Sequence, residues 1–203
     1  SRGLGDVYKR QKKGRVKNKG YLVEGKRMVL EAVEYVRSAI MFIIISENFG
    51  FENKDLITSL DESGISVYTV SDKLFKESVD TMNPQGIAAT VSINNLSDKK
   101  SDLNSINKIL ILDGISEPGN LGTIIRTAEA AGIELIYLLK GCADIYNPKV
   151  VRSTMGSIFR TEFIFAEDAE ILNNLKKQGF KIICSCLENS VDIYRYITCL
   201  LYT

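Results

Sequence analysis

The sequence predicts an α/β chain with a small N-terminal α/β domain followed by a domain built on a parallel sheet, and three observations carry that prediction. Lys108-Ile-Leu-Ile-Leu112 and Glu134-Leu-Ile-Tyr-Leu-Leu139 are apolar runs of buried-strand length. The stretch between them, Asn120 to Gly132, has helical periodicity and helix-end residues, so the three form a βαβ unit with parallel strands and a right-handed crossover. Upstream, from Lys19 to Ile93, strand-like runs alternate with short amphipathic helical patterns.

Met28, Val29, Ala32 and Val36 recur at helical spacing, which predicts a helix over about Val23 to Tyr35. Ile40 to Ile45 is a strand, and the apolar run around it is far too short to span a bilayer. A polar loop with Gly50 follows, then a helix near Lys54 to Ser63 stopped by Gly64. Ile65 to Val70 alternates as a half-buried strand, and Ser71 or Asp72 caps a short helix through Val79. Met82-Asn-Pro-Gln-Gly86 is a loop and Ile87 to Ile93 a strand. Leu96 to Ile106, rich in Ser, Asp, Lys and Asn, reads as a linker.

In the βαβ unit Asn120 is the expected N-cap and Gly132 the expected glycine past the last turn. Leu121, Ile124, Ile125, Ala128 and Ala131 form the apolar face. Asn147 caps a second helix with Pro148 at its first position. Phe163-Ile-Phe165 is a strand, Glu170 to Gln178 an amphipathic helix ending at Gly179, and Phe180 to Leu187 a further strand. Arg126 lies off the apolar face, one turn after Gly122, with Pro118-Gly119 ahead of the helix to admit another molecule. It is either a surface arginine on a solvated face or an arginine at the mouth of a parallel sheet, where ligands of such folds bind.

Composition narrows the classes. With 45% hydrophobic and 25% charged residues the chain has enough apolar side chains for a core, which argues against disorder. No histidine occurs, so serine–histidine and cysteine–histidine catalysis and histidine metal sites are excluded from this stretch. Cys142, Cys184, Cys186 and Cys199 have no metal-ligand spacing; no metal is expected, and the usage suits a reducing cytoplasm. A formal net charge of +1 gives no global signal for nucleic acid, although Lys12, Lys13, Arg15, Lys17 and Lys19 form a basic run.

Asn120-Leu-Gly-x-x-x-Arg126-x-Ala128-x-x-x-Gly132 resembles the first motif of the SpoU (TrmH-like) branch of RNA 2′-O-ribose methyltransferases, members of the SPOUT superfamily with a deep trefoil knot. Asn147-Pro-Lys-Val-Val-Arg-Ser-Thr-Met-Gly-Ser-Ile-Phe159 resembles the second motif, and the two stand in the expected order. Tyr21-Leu-Val-Glu-Gly25 and Pro84-Gln-Gly-Ile87 are similar to the ribosomal-protein-like substrate-binding domain that precedes the catalytic domain. The resemblance implies transfer of a methyl group from S-adenosylmethionine to a ribose 2′-hydroxyl of rRNA or tRNA by a cytoplasmic homodimer. It implies Arg126 and Asn120 as catalytic residues, and Asn147, Arg152 and Ser153 on the substrate side and dimer contact. Lys149 and Arg160 are candidate phosphate contacts. A non-enzymatic RNA-binding protein of the same fold is the alternative, and a binder alone has no need of both Asn120 and Arg126.

The family's third motif, a Gly-Asn-Glu-x-x-Gly loop and a Ser-Leu-Asn helix, is absent. Asp6-Val-Tyr-Lys-Arg-Gln11 is the translation of GATGTGTATAAGAGACAG, a sequencing-adaptor string, and its reverse complement encodes Cys199 to Thr203. The expected organisation is therefore adaptor over 1–11, substrate-binding domain over 12–95, linker over 96–107, incomplete methyltransferase domain over 108–198 and adaptor over 199–203. Without Arg2, Lys9, Arg10 and Asp6 the net charge becomes −1. Such a fragment lacks its knot segment, is expected to be inactive alone, and should hold most cofactor-binding residues beyond residue 198.

Overall fold

Residues 20–92 form a mixed sheet in the order β1-β4-β2-β3, from β1 (Gly20–Glu24), β2 (Ile40–Ser46), β3 (Val67–Val70) and β4 (Ile87–Ser92). This is the first of two sheets in the computed structural model, which describes residues 15, 18–93, 103–167 and 170–185. β4 runs antiparallel to β1 and β2, while β2 and β3 are parallel. α1 (Lys26–Tyr35) buries Met28, Val29 and Ala32 as its spacing predicts, and Val36 follows them into the core. The helix expected from Val23 starts only at Lys26. Gly25 takes φ +95° and donates its N–H to the Ile87 carbonyl at 3.0 Å, closing β1 before the helix begins. Tyr21 and Val23, two apart, share the buried face of β1.

The segment around Gly50, expected as a polar loop, is helix α2 (Glu47–Glu52). Ser46 caps it by accepting from Phe49 N–H at 3.2 Å, and buried Phe49 anchors it. α3 (Lys54–Glu62), β3 and α4 (Asp72–Ser78), capped by Ser71, follow as the sequence predicts. Most of the expected linker lies outside the described residues; Leu103–Ser105 is a short 3-10 turn.

The second sheet is wholly parallel, in the order β5 (Ile109–Leu112), β6 (Leu135–Leu138), β7 (Glu162–Phe165). α5 (Pro118–Ala130) crosses from β5 to β6, and α6 (Pro148–Ser153) with a 3-10 turn at Ser157–Phe159 leads to β7. All four residues of β6 are buried, as a central parallel strand with both faces covered requires. Leu121, Ile125 and Ala128 of α5 pack with Leu112, Ile136, Leu138, Ile145 and Val150. Ala131 is exposed, because the helix has already turned off its buried face there. The helix ends in a Schellman arrangement: Gly132 has φ +72°, Gly132 N–H reaches Glu129 O at 3.0 Å and Ile133 N–H reaches Ala128 O at 2.9 Å.

The two sheets belong to one compact unit ending at Glu167. The core of the first sheet takes in Val151, Ile158 and Phe159 from the segment after β6. Residues 168–203 form a second unit, whose described part is α7 (Glu170–Lys177) and the residues up to 185. Gly179 stops α7 with φ +91°, as expected. The strand expected from Phe180 is not formed over 180–185, where no ladder partner is present among the described residues; 186 and 187 lie outside them.

Candidate active site

The amino ends of α5 and α6 meet at the carboxyl edge of the parallel sheet, the side on which such folds bind ligands. α5 begins earlier than its sequence signals indicate. Glu117, not Asn120, is its N-cap, accepting from Asn120 N–H at 2.6 Å, and Pro118 occupies the first turn. A carboxylate in front of proline serves the same orphan amide that an asparagine cap would, and favours the positive end of the helix. Pro118-Gly119 are therefore the first turn of the helix rather than an open loop, and the Glu117 carboxylate lies over Gly119, 2.9 Å from where a Cβ would project.

Asn120 and Arg126 are both exposed and, six residues apart with Thr123 between, lie on one solvent face of α5. Arg126 sits about 9 Å along the axis from Asn120, inward from the mouth rather than at it. Among the described residues nothing hydrogen-bonds or ion-pairs with the Arg126 guanidinium.

Asn147 caps α6 through its side-chain oxygen, which accepts from Lys149 N–H at 2.9 Å. Lys149 reaches back to Glu117, Nζ to Oε1 2.6 Å, joining the first turns of the two helices. The hydrogen bond from Lys149, and then that from Asn120 N–H, hold the Glu117 carboxyl below its ordinary value. Ser153 donates to Lys149 O at 2.7 Å, one turn back along its own helix. Its Cβ lies where a side chain on Gly122 would project: a Cβ there would come within 2.4 Å of it and 2.8 Å of Val150 O. Gly122 thus lets α5 and α6 touch backbone to backbone.

Arg152 does not reach the face carrying Arg126. Its guanidinium lies 3.7 Å from Glu24 Oε1 on β1. That buried carboxylate also accepts from Asp80 N–H at 3.0 Å, Thr81 N–H at 3.3 Å and the Thr81 hydroxyl. Arg160, a candidate phosphate contact from sequence, is engaged by Glu129 and Glu31 instead. Arg15, which with Lys19 is one of two described members of the basic terminal run, is paired with Asp144 at 2.6 Å with its side chain 11% exposed. Glu117 and Glu129 were not singled out by sequence, and Gly122 and Glu24 stood there only inside longer motifs, without these contacts. Glu117 does carry a local signal, an acid immediately before a proline that opens a helix.

Beyond the ends of β6 and β7 lies a cleft lined by Leu138, Leu139, Cys142, Ala143, Tyr146, Phe165 and Ile93, with the Arg15–Asp144 pair at its polar side. Among the described residues its wall is mostly apolar. Its carboxylate, Asp144, is already committed to Arg15.

Comparison with known proteins identifies the fold and its lineage. Residues 107–199 match the SpoU rRNA Methylase family, and residues 9–89 match the MRM3-like substrate binding domain. The chain is 34% identical over 178 residues to a Bacillus subtilis protein named 23S rRNA (guanosine(2553)-2'-O)-methyltransferase, covering 88% of this chain and 67% of that one. The chain belongs to the SpoU methylase family. It is 30% identical over 200 residues to human mitochondrial rRNA methyltransferase 3, of which it spans 42% while 95% of this chain is covered. A solved AdoMet-bound rRNA methyltransferase from Sinorhizobium meliloti superposes with a TM-score of 0.67 at 25% identity, covering 85% of this chain and 64% of that one. The segment that resembles the first SpoU motif is α5 with Asn120 and Arg126, the one that resembles the second is α6 with its following turn, and Gly122 packs against Ser153 between them.

Proposed function

We propose that this SpoU chain is part of an RNA ribose 2′-O-methyltransferase that uses Arg126 as its charged catalytic group. The observation that carries the reading is the guanidinium of Arg126, exposed and unpaired among the described residues, on a helix otherwise fastened to its neighbours at Glu117, Gly122 and Glu129. The methyl donor is S-adenosylmethionine, which supplies the group as an electrophilic sulfonium. The described residues offer it the apolar wall of the cleft at Leu138, Leu139 and Phe165 but no complete site.

Arginine is not a base at neutral pH, so Arg126 acts through charge: it binds the phosphate beside the reacting ribose and favours the alkoxide form of the 2′-hydroxyl. Asn120 offers an amide donor and acceptor on the same face. Lys149 is a second phosphate contact. Its pair with Glu117 is exposed on both sides, 60% and 46%, and solvent screening leaves it weak enough for a phosphate to displace the carboxylate. Asn147, Arg152 and Ser153 serve the substrate side by setting where α6 lies, through the cap, the Glu24 contact and the Gly122 contact.

The names of the relatives favour rRNA over tRNA as substrate. A homodimer working in a reducing, cytoplasm-like compartment completes the proposal. Among the described residues no helix is long and apolar enough to cross a membrane. The test is to incubate the full gene product with the donor and rRNA and digest the RNA to nucleosides. A 2′-O-methylated nucleoside is the expected product; methylation on a base, or none, would overturn the proposal.

A further inference from the structure

We propose that Arg160 is a positioning residue for methyl transfer, holding the Arg126 helix in register with the substrate-binding sheet; the assignment rests on the function proposed above. Three side chains from two helices converge on its guanidinium. Nε donates to Glu129 Oε1 at 2.9 Å, and Glu129 lies one turn beyond Arg126 on α5. NH1 donates to Glu31 Oε2 on α1, the helix packed on the first sheet. The guanidinium also lies over the Tyr35 ring, 4.9 Å from its centroid.

The surroundings are built to the same point. Ser157 donates to Glu129 Oε2 at 3.1 Å. Gly156, at φ +98°, leaves room for the Glu31 carboxylate, which a Cβ there would meet at 2.9 Å. Arg27 approaches Glu31 at 4.0 Å from the exposed side. The Arg160, Glu31 and Glu129 side chains are 24%, 22% and 28% exposed. A planar fork can satisfy two carboxylates at once, which a lysine ammonium cannot do with the same geometry. Both carboxylates come from elements on either side of the second motif, so the arginine fixes α5 against α1 across it. RNA held by the first sheet and a ribose presented to Arg126 then keep one separation, and small errors in such a separation are costly to rate.

The test uses the full gene product and compares unsubstituted protein with R160A, R160K, E129Q and the double variant E129Q/R160A. Single-turnover transfer should fall about tenfold or more in R160A and E129Q, less in R160K, and no further in the double variant, because both changes remove one interaction. The slope of log K for RNA binding against log salt should not change, since no phosphate contact is lost. A slope shallower by about one would make Arg160 a phosphate ligand and overturn the assignment. So would transfer within about twofold of the unsubstituted rate together with a lowered melting temperature, the signature of a scaffold alone. If R160A does not fold, R160Q, which also removes the charge, carries the same two readings. Absence of transfer by the unsubstituted protein would instead defeat the functional proposal, and this assignment with it.

Discussion

Replacing Gly122 by alanine tests how the two motif helices are joined. The added Cβ would lie 2.4 Å from Ser153 Cβ and 2.8 Å from Val150 O. Carbon atoms rest at about 3.5 to 4.0 Å, so α5 and α6 must part by roughly 1 Å. Neither obstacle is the end of a flexible side chain that could swing away. Leu121, Ile125 and Val150, fully buried beside the contact, would lose packing as the helices separate. Overpacking of this kind costs about 1 to 3 kcal/mol, against which alanine returns up to about 1 kcal/mol of helix propensity. Because neither obstacle can swing away the upper part of that range applies, so the net loss is about 1 to 2 kcal/mol, or roughly 2 to 8 °C in melting temperature for a chain of this size. The assay is thermal and denaturant unfolding of Gly122→Ala beside Gly50→Ala, whose Cβ would meet only side-chain ends, Ile45 Cδ1 at 3.3 Å and Ile57 Cδ1 at 3.9 Å. A Gly122→Ala midpoint at or above the unsubstituted value would refute the argument.

Three further expectations concern the charged and ionisable groups. Burial, with the charge of Asp144 second, pushes the Tyr146 hydroxyl up to about 12, and burial raises Tyr21 beside it as well. The unfolded chain gives up these protons near pH 10 and the folded chain keeps them, so their stabilisation is complete below about 10 and is lost as pH rises toward 12. For Tyr146 alone this is about 2 to 3 kcal/mol, and Tyr146→Phe should flatten the alkaline fall in denaturant midpoint; an unchanged fall would contradict it. Glu129 is held below its ordinary carboxylate value, chiefly by the hydrogen bond from Arg160, so its contribution is full above the unfolded value of about 4.5 and is lost as pH falls through the folded one. Acid titration of stability in Glu129→Gln should lack that component, and an identical acid limb would count against the pair. Glu117→Gln should release Lys149 and tighten RNA binding severalfold at low salt; weaker binding would show that the pair itself positions the lysine.

Local signals were legible wherever the chain settles its own backbone. Ser71, Asn147 with Pro148, Gly132 and Gly179 all mark the ends they promise. The readings failed where two signals competed. Val23 shares a period-two pattern with Tyr21, but the helical spacing centred on Met28 predicts a helix from Val23, past the Gly25 turn that separates the two patterns. Asn120 is a good cap by type, yet Glu117-Pro118 opens the helix one turn earlier. Around the site, what stayed hidden depends on contacts between distant positions. Nothing near Gly122 in sequence announces Ser153, and nothing near Arg160 announces Glu31, 129 residues away, or Glu129, 31 away. Arg126 was legible in a different way: its place off the apolar face left two readings open, the motif resemblance chose between them, and in the structure the side chain is exposed and unpaired among the described residues.

The central claim is that Arg126 supplies the charge for transfer to a ribose hydroxyl, and single-turnover methylation of rRNA by Arg126→Ala in the full gene product tests it most directly. The side chain is exposed on a helix held elsewhere, so folding and melting temperature should stay close to those of the unsubstituted protein. The transfer rate should fall at least about 100-fold, the scale of losing one preorganised charge contact. A folded Arg126→Ala protein that methylates at near the unsubstituted rate would contradict the account.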